Sequence, residues 1–204
     1  MAQQFHYYTE IAPTTYTITV SMDVTILRKA VKAKGYKFFP TYLYLVTSAI
    51  CKQQTLRIAI QNGTLGYWDV LTPAYPHFHQ DDQTTSLLWT EYHADFPVFY
   101  NRYLQDTATH GNSHGIVSSK GVPPPNAYVI SCIPWFSFQS FSLHNHGITN
   151  YFVPSFEAGQ FVEQNEKVRM PLSITVHHAT TDGYHLKVFL ENLQTAMDCP
   201  ETWL

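Results

Sequence analysis

The run His177-His178-Ala179-Thr180-Thr181-Asp182-Gly183 places two imidazoles and a carboxylate beside a turn glycine. An imidazole titrates near neutrality and can take a proton from a hydroxyl or a thiol, so the chemistry on offer is general-base catalysis. The residues before it alternate. Leu172, Ile174 and Val176 share one face of a strand and His178 falls on that face, while Ser173, Thr175 and His177 fall on the other. Partial burial at such a position favours the neutral ring that a base requires. Asp182-Gly183 is a turn signal, with glycine free to take positive φ. Asp182 lies four residues past His178, within reach of its surroundings. The same pattern also suits a buried histidine satisfied by a backbone carbonyl, so spacing alone leaves both readings open.

Strands and helices must position this run. Tyr16, Ile18, Val20 and Met22 alternate with polar residues and predict a first strand, with Asp23 as the N-cap of a helix carrying Ile26, Leu27, Ala30 and Val31 and stopped at Gly35. Pro40 suits the first turn of a second helix with Leu43, Val46, Thr47 and Ile50 inward. Asn62-Gly63 predicts a hairpin between residues 57–61 and 64–68. A strand is expected over 73–79, a helix over 94–105 with Phe96, Phe99, Tyr100 and Tyr103 on one side, and a long loop over 106–125. Residues 127–134, 152–162 and 167–178 read as further strands. A closing helix over 184–197 buries Leu186, Phe189, Leu190, Leu193 and Met197. Helices packed on one side of a mixed sheet satisfy this irregular alternation.

At 204 residues, 45% hydrophobic and 15% aromatic, the chain fits one domain, 1–204, with a real core. The net charge of −3 and scattered Lys and Arg argue against nucleic acid or an anionic membrane as partner. No apolar run reaches membrane-spanning length, and the start lacks a signal-peptide pattern. Three cysteines, Cys51, Cys132 and Cys199, have no metal-like spacing, and a reduced, cytoplasmic setting is expected. His77-Phe78-His79, His144-Asn145-His146 and the segment from His110 to His114 have ligand-like spacings. No Cys or carboxylate cluster joins them in a recognisable pattern, so no metal is expected.

The HHATTDG run, followed by an amphipathic helix near the end of the chain, resembles the HHxxxDG signature of chloramphenicol acetyltransferases. Dihydrolipoamide acyltransferase cores carry a similar signature. YKFFP at 36–40, LRIAI at 56–60, Phe78-His79, SLLW at 86–89, Ile133-Pro134-Trp135 and FQSF at 138–141 look like chloramphenicol acetyltransferase blocks in that family's order. The resemblance runs from about Phe5 to about Leu193 and favours that family over the lipoyl enzymes, as does the lack of a lipoyl domain and Pro/Ala-rich linker. It implies the two-layer α/β fold of coenzyme A-dependent acyltransferases, a homotrimer, and active sites at subunit interfaces.

The implied reaction moves acetyl from acetyl-coenzyme A, as co-substrate, to the primary hydroxyl of chloramphenicol. Carried over, His178 is the general base, Ser140 hydrogen-bonds the oxyanion, and Asp182 fixes the turn that presents His178. Tyr7, Tyr8, Ala12, Thr14 and Tyr16 align with the wall of the drug pocket, and Trp135 and Phe161 with coenzyme A-facing aromatics. No G-x-S-x-G elbow is present, so no acyl-serine is expected.

Three departures stand out. The alignment puts Met1 where the family has an arginine that pairs with the aspartate, here Asp182, and finds no counterpart of the tryptophan before it. Either the chain is an N-terminally shortened member, or another cation, Arg57 or His185, is the candidate partner for Asp182. Glu157 stands where the family usually has Thr, and a carboxylate near a developing oxyanion repels it unless protonated or turned away. Thr180-Thr181 replaces a frequent Val-Cys. These departures leave open a weakly active or non-catalytic trimeric small-molecule-binding relative, or an acyltransferase with another acceptor.

Overall fold

The computed structural model describes residues 2–144 and 151–204. Asn145 and His146 of the sequence-predicted histidine motifs lie outside them. The described strands form a mixed sheet in the order β1 (Thr15–Asp23), β9 (Lys167–His177), β7 (Ser155–Gly159), β6 (Ala127–Ile133), β4 (Thr72–Phe78), β5 (Thr85–Trp89), with the short β8 (Val162–Gln164) also on β9. β9 runs antiparallel to both neighbours, β6 is parallel to β7 and β4, and β4 and β5 form a hairpin. A separate hairpin, β2 (Ile58–Gln61) and β3 (Thr64–Tyr67), turns at Asn62 and Gly63, both with positive φ, as the Asn-Gly pair predicts.

Helices α2 (Thr25–Ala33), α3 (Phe38–Cys51), α4 (Phe96–His110) and α5 (Gly183–Asp198) cover one face. Their Leu27, Val31, Leu43, Val46, Phe99, Phe189 and Leu193 meet Leu172, Ile174, Val176, Ile130 and Phe156 of the sheet. The expected architecture, a mixed sheet with helices on one side, is the one observed for these four longer helices.

The other face is polar yet covered. Thr17 bonds Thr175 at 2.7 Å and Thr19 bonds Ser173 at 3.4 Å across β1 and β9. Ser173 Oγ also donates to the Phe141 carbonyl at 2.6 Å, which pulls the segment after β6 onto the sheet. Gly159 admits Phe138 there: a Cβ at that position would lie 2.8 Å from the Phe138 ring. Phe152 packs on the His177 ring at 4.9 Å and on Phe5 at 5.3 Å, so the chain's first helix, α1 (Ala2–His6), covers the end of this face.

Several local expectations need correction. Asp23 is not an N-cap: it ends β1, and its carboxylate accepts from the Thr25 N–H and hydroxyl, doing a cap's work one residue early. Ile26 is exposed, because Leu27 and Val31 define the buried stripe. α4 continues to His110, since no breaker precedes Gly111, and the loop is correspondingly shorter. The run 152–162 splits because the Gln160 N–H leaves the ladder for the Phe136 carbonyl. Gly183 has no positive φ; it is the first residue of α5. Leu190 is only partly buried.

Candidate active site

β9 delivers His178. Its partner β1 pairs Tyr16 with Val176, and one step further the His178 N–H bonds the Thr14 carbonyl at 2.9 Å. His178 therefore keeps the core-facing parity of Leu172, Ile174 and Val176 but emerges just past the sheet's end, half-buried. His177 faces the other way and is buried. The chain turns at once: the His177 carbonyl accepts from the N–H groups of Thr180 and Thr181, each at 3.1 Å.

Aromatic contacts hold the His178 ring. Tyr8 stacks on it at 4.2 Å and 21°, and Tyr16 meets it edge-on at 5.1 Å. Tyr8 belongs to a π-helical turn, Tyr7–Ile11, that continues α1. Tyr7 is exposed and edge-on to Tyr8 at 5.1 Å. Thr14 hydrogen-bonds the Ala12 carbonyl at 2.7 Å, which fixes the approach to β1. Thus Tyr8, Thr14 and Tyr16 gather at His178, with Ala12 and Tyr7 beside them. The Nδ1 of His178 is buried with no hydrogen-bond partner among the described residues, so the ring is oriented by packing rather than by a polar tether. Burial, reinforced by the charge of Asp182, pushes the Tyr16 hydroxyl up to about 12, and that hydroxyl donates to the Thr181 carbonyl at 3.3 Å.

Asp182 is the N-cap of α5. Its carboxylate accepts from the N–H groups of Tyr184 and His185 at 3.0 and 3.1 Å. The His185 Nδ1 closes a capping box, accepting from the Asp182 N–H at 3.2 Å and lying 2.9 Å from Asp182 Oδ1. The His185 backbone bond is the main cause holding the Asp182 carboxyl below its ordinary range. Of the two candidate partners for Asp182, His185 is the one in contact, and it engages Asp182 as the hydrogen-bond acceptor of the capping box rather than as a paired cation. Arg57 instead donates to the carbonyls of Trp68, Asp69 and Cys51. His185 does the job usually given to Glu at the third helical position, which is why a capping pattern was not apparent in the sequence.

The remaining predicted residues lie elsewhere in the chain. Ser140 is exposed, in the segment that Ser173 anchors through Phe141. Trp135 is exposed, edge-on to Phe78 at 5.1 Å, and walls a cavity of about 440 Å³ with Phe39, Tyr75, Tyr103 and Cys132. Phe161 lies outside that cavity's lining, against Phe38 at 4.8 Å and beneath the Arg28 guanidinium at 4.7 Å.

Glu157, flanked in register by Ser131 and Ser173, lies on the polar face of the sheet. It is 2% exposed, and neither carboxylate oxygen has a hydrogen-bond partner among the described residues. Burial pushes its pKa up to about 7, and the nearby Ser155 hydroxyl, close enough to favour the anion but outside hydrogen-bond geometry, offsets part of the rise.

The sequence profile of the chloramphenicol acetyltransferase family matches residues 2–194. A chloramphenicol acetyltransferase of Clostridium perfringens is 36% identical over 201 residues, covering 98% of this chain and 91% of its own. One of Staphylococcus aureus is 38% identical over 192 residues, covering 94% and 88%. A solved chloramphenicol acetyltransferase superposes with a TM-score of 0.86 at 21% identity, covering 96% of this chain and 94% of that one. A probable dihydrolipoamide acetyltransferase of Listeria monocytogenes superposes at 0.68 and 15% identity, covering 97% and 89%, which relates the fold to that acyltransferase core. On the breadth of the profile match and the identity of these relatives, the chain belongs to the chloramphenicol acetyltransferase family.

Proposed function

We propose that the chain transfers acetyl from acetyl-coenzyme A to a hydroxyl of chloramphenicol, with His178 as general base. The observation that carries this is the half-buried His178 ring, clamped by Tyr8 and Tyr16 at the end of β9. His178 takes the hydroxyl proton as that oxygen attacks the thioester carbonyl. The C=O electrons move to oxygen, and the tetrahedral oxyanion then collapses. The carbon–sulfur bond breaks, and the leaving thiolate takes a proton from the imidazolium. General-base help of this kind is worth roughly 10² to 10⁴ in rate. Tyr7, Tyr8, Ala12, Thr14 and Tyr16 form the acceptor's wall, the tyrosines offering stacking area for a nitrophenyl ring. The aromatic cavity beside Trp135 is the candidate place for part of the coenzyme; Phe161 remains the second candidate contact.

Ser140 supplies the oxyanion's hydrogen bond, and the spacing supports a second copy as its source. Ser140 adjoins Phe141, whose carbonyl Ser173 holds. Ser173 and His178 are five residues apart on extended chain, about 16 Å at the usual strand rise. Groups that far apart do not meet on one tetrahedral centre, so His178 of one subunit works with Ser140 of the next in a homotrimer. The free Cys51, Cys132 and Cys199 are compatible with the cytoplasm. No described helix is long and apolar enough to cross a membrane.

The test is thiol release from acetyl-coenzyme A with and without chloramphenicol. Release that depends on the drug and is lost in His178→Ala is expected; persistence in that variant refutes the base assignment. Trimers mixed from His178→Ala and Ser140→Ala chains should recover activity if the two residues meet across an interface. Failure to recover removes the shared-site reading.

The buried carboxyl of Glu157, without a hydrogen-bond partner among the described residues, favours a second reading, in which turnover is slow and the protein chiefly binds its ligand, or accepts another alcohol. Calorimetric drug binding without thiol release, or release with a different acceptor, separates these outcomes.

A further inference from the structure

The turn of the β4–β5 hairpin and the loop after α4 converge on a group of side chains that the acetyl transfer does not use. His79 follows β4 and is 5% exposed, its Nε2 bonded to the buried Ser86 hydroxyl at 3.0 Å. Asp81 and Asp82 follow in the turn. Asp82 is fixed through Oδ1, which accepts from the Thr84 N–H at 3.0 Å and the Thr84 hydroxyl at 2.7 Å. The loop after α4 crosses the hairpin because the Leu87 N–H bonds the Ile116 carbonyl at 2.9 Å and Val117 bridges to Leu87. This lays the His114 ring on His79, 4.1 Å away and 22° from parallel. His114 Nδ1 is 2.7 Å from Asp82 Oδ2, and its Nε2 is 3.3 Å from Asp81 Oδ2. One ligating atom from each of His79, Asp81 and His114 lies within 4.8 Å of the other two.

We propose that His79, Asp81 and His114 bind a zinc ion, with Asp82 and Ser86 as the outer partners that orient the two imidazoles. The arrangement has the parts such a site requires. Two imidazoles and a carboxylate suit zinc, and three protein ligands leave a fourth position for water. Asp82 engages His114 Nδ1 and Ser86 engages His79 Nε2, which orients both rings and leaves His114 Nε2, beside its co-ligand Asp81, and His79 Nδ1 for the metal. Magnesium and calcium prefer all-oxygen sites. At zinc–ligand distances near 2.1 Å, tetrahedral donors lie about 3.4 Å apart, so this set closes by roughly 1 Å. The in-plane lone pairs of two rings 22° from parallel do not converge, so binding also tips the His114 ring off His79; Asp81 and His114 are exposed enough to make that move. Spacing along the chain predicts no metal, because the two histidines belong to separate segments; the tertiary structure brings one from each to one turn. Bound zinc would tie the post-α4 loop to a hairpin whose Phe78, Gln80 and Thr85 line the aromatic cavity.

The test titrates zinc chloride into the full-length, chelator-treated protein by calorimetry and follows the melting temperature. One saturable equivalent per chain and a zinc-dependent rise in melting temperature are expected. His114→Ala and Asp81→Asn, both at exposed positions, should each weaken zinc at least tenfold. Asp82→Asn removes no ligand and should weaken it about 10- to 100-fold through ring orientation. His93→Ala, outside the cluster, should bind as the parent does, and magnesium should give no heat. Unsaturable zinc binding, or one equivalent retained at parental affinity in both His114→Ala and Asp81→Asn, overturns the site and leaves an ion pair between His114 and its two aspartates. Parental affinity in Asp82→Asn overturns the assigned outer partner.

Discussion

His178 and His114 are the same side chain in opposite settings. His178 is held by rings: Tyr8 stacks on it, Tyr16 abuts it, and its buried Nδ1 has no polar partner among the described residues. His114 is held by charges, with a carboxylate at each nitrogen. A ring fixed by packing keeps its nitrogens free for a proton that comes and goes, as general-base work demands. A ring with a carboxylate at each nitrogen is tethered at both ends, which holds it still and suits a metal ligand. The backbone explains how each setting arises. His178 rides on a central strand out of the apolar core, whereas His114 lies on a loop and is placed by one bridge to β5.

The sharpest way to break the comparison is to remove both rings in turn. His178→Ala should lower kcat by about 10²- to 10⁴-fold in the thiol-release assay. Next in size is the buried carboxyl of Glu157, which has no hydrogen-bond partner among the described residues and titrates near neutrality. Its folded pKa of about 7 lies above the ordinary 4.5, so between those values the folded protein holds the proton longer than the unfolded one. Stability therefore falls as pH rises through that window and levels off above it. The difference corresponds to about 3 kcal/mol. Glu157→Gln should raise the melting temperature at pH 8 by about 6 °C and change it little near pH 4.5; an equal effect at both would show that Glu157 finds a partner in the assembly.

Smaller effects should follow the two kinds of support. Asp182→Ala removes a cap worth about 1 kcal/mol, and should cut kcat further because α5 begins beside the base. Tyr8→Leu removes a stack worth about 0.5–1.5 kcal/mol. It should lower kcat more than melting temperature if the ring's role is to orient His178, and the reverse outcome would make Tyr8 a packing residue only. His114→Ala in zinc-free buffer should leave turnover within about twofold, because exposed ion pairs contribute little. A large loss there would join the two histidine regions into one functional unit.

Much of this was legible in the sequence. Alternation in 172–176 set the parity of His178 correctly, and the run of strands and helices led to the mixed sheet with helices on one face. The closing helix, the Asn-Gly hairpin and the core faces of α3 and α4 followed from local periodicity, which depends only on neighbours along the chain. The blocks in 36–141 and the HHATTDG run identified the family, since a family motif needs fixed residues at fixed offsets. Boundaries were harder: α4 outran its apolar stripe, and β7 stopped where the Phe136 carbonyl drew off Gln160.

What only the tertiary structure decided are the meetings between distant segments. That His185 rather than Arg57 engages Asp182 depended on where Arg57's carbonyl partners lay. That α1 covers the polar face through Phe5 and Phe152 has no periodic trace, because so short a helix cannot display one. The juxtaposition of His79 with His114 is of the same kind. A residue's face is set by its own backbone, but its partner is set by the packing of the whole fold.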